Sequence, residues 1–331
     1  MEKVRWGLLS TANINRRLIP AIRASDRGEL IAVASRDYTR ARSYADMWGI
    51  PSAYGSYEEM LTSDKIDCVY VGLPNHLHAE WSIKSMQSGK HVLCEKPFAL
   101  SVTEVDRMIA ASRENDRVLA EAFMYRHHPQ TKIAGEWVRS GKLGEILQLF
   151  AVFNFQLTNP SNVRWAPEFG GGCLWDVGVY PLSFAQYFFD DVPNWVLGAQ
   201  KISSSGVDAT FSGIMGYKGN GIAQIQSSFQ SRFFTYAEII GTQGRLSFNR
   251  PFVGIEDDGK LVFTPIEGET ITIPVPPTEL YAGEINDMHG AILDHTSSYL
   301  TLQESRDHIR TVIALYKSAV TNTVTYIDEI S

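Results

Sequence analysis

Over its first 123 residues the chain alternates short, mainly apolar runs with amphipathic stretches, and few folds accept that rhythm. Residues 4–10, 30–34, 66–73, 91–95 and 118–123 read as strands, and residues 13–24, 39–48, 57–61, 79–88 and 102–114 as helices. In the first helix Ile14, Leu18, Ile19 and Ile22 recur at helical spacing, and Gly49 and Gly89 stand where the second and fourth helices should stop. Strands that are apolar throughout have both faces covered. Strand–helix–strand units of this length join parallel strands through right-handed crossovers. The expectation is an α/β, doubly wound parallel sheet over residues 1–123.

The pattern then changes. Residues 131–141 read as one helix, followed by runs at 147–157, 195–202, 208–217, 222–229, 236–241 and 261–265, several of them alternating apolar with polar residues. Such alternation marks antiparallel sheet with one covered face. Residues 285–295 and 302–320 read as closing helices, so 124–331 is expected to be an α+β domain with a large open, mainly antiparallel sheet. A length of 331 residues accommodates two domains.

Composition narrows the partners. Thirty Lys and Arg against 37 Asp and Glu leave a net charge of −7, without the basic footprint of a nucleic-acid binder and without attraction to anionic membrane. No apolar run approaches the ~20 residues that span a bilayer. The first residues lack the charged, apolar and small-residue succession of a secretory signal. Cys68, Cys94 and Cys173 fit neither a disulfide framework nor a zinc motif, so a reducing, cytoplasmic setting is expected. His76 and His78 stand two apart without a third ligand at recognisable spacing, so no metal is expected.

Two turns point to a dinucleotide. The first strand runs into Gly7-Leu8-Leu9-Ser10-Thr11-Ala12-Asn13-Ile14, with Ser10 and Ala12 in the later glycine slots of the phosphate-binding fingerprint. Small residues there still allow close backbone approach over a helix N-terminus. The second strand ends Ser35-Arg36-Asp37, with Arg40 one turn on. Ser35 can donate to a 2′-phosphate and Arg36 and Arg40 can pair with it, which favours NADP, while Asp37 keeps NAD as the alternative. The cofactor contacts expected from this face are Gly7, Ser10, Thr11, Ala12, Asn13, Ile14, Ser35, Arg36 and Arg40.

Two further strand ends face the same crevice. One reads Leu73-Pro74-Asn75-His76-Leu77-His78, the other Glu95-Lys96-Pro97, where the following proline restricts the lysine backbone. These motifs, with Phe123-Met124-Tyr125-Arg126-His127-His128-Pro129-Gln130 and Gly171-Gly172-Cys173-Leu174-Trp175-Asp176-Val177-Gly178-Val179-Tyr180-Pro181, resemble the Gfo/Idh/MocA oxidoreductases along essentially the whole chain. The branch most resembled holds NADP-dependent D-xylose 1-dehydrogenases, dihydrodiol dehydrogenases and sugar 3-ketoreductases.

The resemblance implies a Rossmann domain, a second domain with an open sheet that forms dimers or tetramers, and a nicotinamide cofactor. It places the catalytic lysine on Lys96 and lines the cofactor with Leu73, Pro74, Asn75, His76, His78, Glu95 and Lys96 itself. Where many members carry Asp-x-Gly-x-His, this chain has Asp176-Val177-Gly178-Val179-Tyr180, so a tyrosine replaces the histidine. Arg164 and Trp165, before the Gly170-Gly171-Gly172 run, are expected beside the cofactor. Tyr125, Trp165, Asp176, Tyr180 and Lys96 are expected around the substrate.

A tyrosine phenol titrates near pH ~10 and a lysine ammonium near ~10.4. Contact between the two stabilises the phenolate and disfavours the ammonium, bringing both towards working pH. The expected function is hydride transfer between NADP and a sugar carbon, first an aldose such as D-xylose or D-glucose at C1. Tyr180 is then the acid/base, Lys96 polarises the reacting oxygen and Asp176 orients one of them; the Tyr–Lys roles can be exchanged. The alternatives are a ketosugar or anhydrosugar reductase, a dihydrodiol dehydrogenase, a non-catalytic cofactor-binding sensor and an NAD-dependent glycosidase.

Overall fold

A computed structural model describes residues 2–253 and 260–330. The chain packs into two compact units, one of Met1–His127 with Tyr281–Arg306, the other of His128–Leu280 with Asp307–Ser331. In the first, β1 (Val4–Leu9), β2 (Gly28–Ala34), β3 (Ser52–Tyr54), β4 (Cys68–Val71), β5 (His91–Glu95) and β6 (Leu119–Ala122) form one sheet in the order β3-β2-β1-β4-β5-β6. Every pairing is parallel. The order reverses between β1 and β4, which opens a crevice at the strands' carboxyl ends. The five expected strands form, and β3 adds a sixth at the edge.

The crossovers are α1 (Asn15–Ala24), α2 (Tyr38–Trp48), α3 (Tyr57–Leu61), α4 (His78–Gln87) and α5 (Val102–Asn115), followed by the short α6 (Met124–His127). Their starts are written locally. Ser101 accepts the Glu104 N–H, and Glu104 in return accepts that of Leu100, closing a reciprocal cap on α5. Glycine stops α2: Gly49 lies at φ 60°, where a side chain is unfavourable.

The second unit contains α7 (Pro129–Arg139), β7 (Ile146–Asn154), α8 (Val179–Phe189), β8 (Trp195–Ile202), β9 (Asp208–Gly216), β10 (Ile222–Ser228), β11 (Phe234–Gly241), β12 (Gly244–Phe248), β13 (Leu261–Pro265) and β14 (Ile271–Ile273). With β15 (Thr325–Tyr326), the described strands form one sheet in the order β14-β13-β12-β11-β7-β10-β9-β8-β15. It is antiparallel except for the β7–β10 pair, which is parallel. One face is covered by α8, where Phe184 meets Phe248 at 5.1 Å and Phe252 at 5.7 Å. On the other face Ile214, Gln224, Phe150 and Glu238 stand side by side in one cross-strand row.

The helices α9 (Ala282–Leu293) and α10 (Leu302–Thr321) follow. The sequence reading assigns everything from residue 124 onward to one second domain, whereas α9 packs with the first unit. The indole N–H of Trp6 on β1 donates to His289 Nε2 at 3.0 Å across 283 residues of chain. Arg27 closes a salt bridge to Asp294 at 2.7 Å. Amphipathic spacing marks α9 as a helix and is silent about which core receives it.

Candidate active site

The β1–α1 turn combines a strained residue with an uncapped helix. Ser10 lies at φ 147°, a region that glycine occupies freely and other residues only when their surroundings force it. Three contacts hold it: its hydroxyl donates to Gly72 O at 2.8 Å and accepts the Ala12 N–H at 3.2 Å, and its carbonyl accepts from Asn15 Nδ2 at 2.8 Å. Serine thus adopts the glycine geometry of the fingerprint and ties the end of β1 to the chain leaving β4. No side chain caps α1 and no acidic residue stands in its first turn, an arrangement suited to a phosphate. Thr11, Ala12 and Ile14 are half-buried and Asn13 is exposed along this turn. Gly7 lies inside the strand, where an added Cβ would stand 3.2 Å from the Met60 sulfur, so its place is one of packing.

The end of β2 builds a cationic corner. Asp37 caps α2, accepting the Arg40 N–H at 2.7 Å, and the Arg40 Nε donates to Thr11 Oγ1 at 2.8 Å. The helix tip that follows β2 is thereby fastened to the phosphate turn. Arg36 is exposed beside it, Ser35 is buried, and the charges of both arginines reach Tyr57. The carboxylate that would serve an NAD ribose is occupied as a helix cap, and two guanidinium groups remain at the corner.

Lys96 is half-buried at the end of β5, and its peptide bond to Pro97 is cis. Glu95 accepts the Lys96 N–H at 3.2 Å and the hydroxyl of Tyr70 from β4. Burial, then the Glu95 charge, pushes the Tyr70 phenol up, so Tyr70 remains the donor. Tyr70 was not singled out from sequence; its one signal is a polar tip within the apolar run Cys68–Val71. Leu73 is buried, and Pro74, Asn75 and His76 line a half-buried turn. His78 is buried at the start of α4 with Nδ1 2.7 Å from Pro97 O and Nε2 2.8 Å from Leu73 O. It stitches the two strand-end loops together, and burial pushes its pKa down against those contacts.

In the second unit Asp176 and Tyr180 lie at the start of α8, but not in uniform α-helix. Leu174–Gly178 forms a π-helical turn, in which the Val179 N–H reaches back to Leu174 O. The extra residue changes the angular register between positions 176 and 180 from the i, i+4 relation expected of a plain helix. Asp176 is nearly buried and pairs with Arg164, Nε to Oδ2, at 2.6 Å. Arg164, expected beside the cofactor, thus meets Asp176. Trp165 packs edge-on against Phe229 at 5.3 Å, and the Tyr180 ring lies 5.3 Å from Phe153 and 5.8 Å from Phe252. Tyr125, in the first unit, is fully buried against Phe123 at 5.6 Å. His128 caps α7 by accepting the Gln130 N–H at 3.2 Å.

Known proteins share this fold. The profile described as "Oxidoreductase family, NAD-binding Rossmann fold" of the Gfo/Idh/MocA group matches residues 4–123, and the group's C-terminal domain profile matches residues 131–247. A D-xylose 1-dehydrogenase (NADP(+)) of Haloferax volcanii is 36% identical over 98% of this chain and 99% of its own length. A 1,5-anhydro-D-fructose reductase of Ensifer adhaerens is 30% identical over 96% of both. A 3-ketoreductase of Actinomadura kijaniata, solved in complex with NADP and TDP-benzene, superposes with a TM-score of 0.89 at 28% identity, covering 96% of this chain and 98% of that one. The doubly wound sheet, the nine-stranded sheet and a likeness running the length of the chain make it a member of the Gfo/Idh/MocA oxidoreductase family.

Proposed function

We propose that this chain is an NADP-dependent sugar oxidoreductase that oxidises an aldose such as D-xylose or D-glucose at C1. The observation that carries the reading is the full-length likeness to a D-xylose 1-dehydrogenase (NADP(+)), in a chain that places Lys96 at a strand end of the crevice. The cationic corner of Arg36 and Arg40, with Asp37 committed to its cap, supports NADP over NAD. The strained Ser10 and the uncapped α1 suit the pyrophosphate. Pro74, Asn75, His76 and Glu95 are the strand-end contacts proposed for the nicotinamide side, with Leu73 and His78 holding that loop.

The bound cofactor supplies the carbon that takes up or returns hydride. This chain's residues handle the proton. Tyr180 takes the hydroxyl proton of the sugar, and the Lys96 ammonium polarises the reacting oxygen and favours the phenolate form. Asp176, held by Arg164, orients the substrate hydroxyl or Tyr180. Tyr125 and Trp165 belong to the proposed sugar-side group. The exposed Phe150 and Ile214 on the open face of this sheet support its self-association into a homo-oligomer. The setting proposed is the cytoplasm, in keeping with three free cysteines; no helix among the described residues is long and apolar enough to cross a membrane.

The reductase names among the relatives favour a second reading, in which the same residues reduce a ketosugar or anhydrosugar. Initial rates of NADP⁺ and NAD⁺ reduction with a panel of aldoses, polyols and dihydrodiols, run beside NADPH oxidation by 1,5-anhydrofructose, separate the two. Saturable reduction of NADP⁺ by an aldose is expected. Turnover confined to NADPH and the ketosugar would replace the first reading with the second, and cleavage of an aryl glycoside without net cofactor reduction would overturn both.

A further inference from the structure

Asp208 opens β9 on the covered side of the second sheet and is almost fully buried. Its carboxylate is met by three donors. Oδ2 accepts the backbone N–H of Leu174 at 2.8 Å and the thiol of Cys173 at 3.0 Å, and Oδ1 accepts the hydroxyl of Tyr316 from α10 at 2.7 Å. Cys173 also lies 3.3 Å from Ser227 Oγ on β10. Burial pushes the Cys173 thiol and the Tyr316 phenol up, so both remain donors. Gly172 completes the arrangement: it lies at φ 124°, and an added Cβ would run into Asp208 and stand 2.9 Å from the Tyr316 oxygen.

Leu174 is the first residue of the π-helical turn that contains Asp176 and leads into Tyr180. The first N–H groups of a helical segment have no partner within it. Here one of them is met by a carboxylate on a distant strand, which fits the positive end of the segment. Gly172, which ends the glycine run before the turn, therefore fits the chain tightly over Asp208.

We propose that Asp208 is a positioning residue: from β9 it anchors the turn that sets Asp176 and Tyr180, acting through Leu174, Cys173 and Tyr316. This rests on the acid–base reading of Tyr180 and Asp176 given above.

Amide hydrogen exchange and steady-state kinetics on the full chain test it with Asp208→Asn, Asp208→Ala, Tyr316→Phe and Tyr180→Phe. Asparagine keeps one acceptor oxygen and nearly the same shape, so Asp208→Asn is expected to fold. Its exchange should rise over residues 172–180 and not across the sheet, and its kcat should fall about tenfold with KM and the NADP⁺ Kd within about twofold. Asp208→Ala should lose roughly a hundredfold in kcat, with Asp208→Asn restoring part of it. Tyr316→Phe, which leaves the Leu174 anchor, should change kcat by less than about threefold. Should Asp208→Ala not fold, the asparagine and phenylalanine variants carry the comparison. Unchanged exchange at 172–180 in Asp208→Asn, or raised exchange with kcat at the wild-type level, overturns the proposal. Wild-type turnover by Tyr180→Phe overturns the acid–base reading instead, whatever Asp208 does.

Discussion

In the first unit the strand-end residues are held largely by backbone groups. Ser10 is fixed by Gly72 O, His78 by Leu73 O and Pro97 O, and the Asp37 carboxylate by the Arg40 N–H. In the second unit Asp176 is held by the Arg164 guanidinium, and the turn that bears it rests on a network of thiol, carboxylate and phenol at Cys173, Asp208 and Tyr316. The first arrangement follows from where parallel strands end, so any sequence adopting that sheet presents loops at the same edge. The second depends on side chains brought together from β9, β10 and α10. The first is general to a fold; the second is where a particular chemistry can be tuned.

The sharpest way to break this comparison is to remove one group from each side. Lys96→Met and Tyr180→Phe should each lower kcat by roughly 10²–10⁴-fold while leaving the NADP⁺ Kd nearly unchanged, as read by initial rates and fluorescence titration. A large loss from Lys96→Met alone would confine the chemistry to the first unit.

Acid should act next most strongly, through the histidine that fastens α9 to β1. His289 is fully buried, its Nε2 accepts from Trp6, and burial pushes its pKa down to about 4. Below pH ~6.5 an unfolded chain binds a proton that the folded one refuses. Stability is therefore fully present above that pH and is lost as pH falls towards 4, by up to about 3 kcal/mol. Urea unfolding at pH 7, 5.5 and 4 measures the slope, and His289→Gln should flatten it.

The cationic corner gives a smaller effect. On the proposed reading, in which its guanidinium pairs with the 2′-phosphate, Arg40→Ala should raise the NADP⁺ Kd about tenfold and move the NAD⁺ Kd less than about twofold. Equal losses for both cofactors would show that Arg40 acts through its bond to Thr11. Smallest is Arg164→Ala. Its guanidinium is 43% exposed, so the pair with Asp176 contributes modestly and kcat should drop about three- to fivefold.

Much of the first unit is legible in the chain because its signals are local. Gly49 stops α2, Ser101 and Glu104 start α5, and the apolar run at residues 91–95 is β5 to the residue. Lys96 could be placed at a strand end from Glu95-Lys96-Pro97 alone. The β3 and β14 strands were not legible, since three residues carry too little periodicity to separate from loop. Nor was the π turn: Asp176 and Tyr180 stand at ordinary helical spacing, and the extra residue is visible only in the bond from Val179 to Leu174.

The sequence by itself determined the two kinds of sheet, the positions of the turns and the residue types at the strand ends. These follow from periodicity, caps and glycine stops, which act over a few residues. The tertiary structure decided that α9 joins the first unit through Trp6 and His289, that Ser10 takes a glycine's backbone, and that Asp208 holds the turn of Asp176. Each of these is a contact made after the chain has folded back on itself, chosen by which buried polar groups find partners, and a residue's spacing from its neighbours carries no record of that choice.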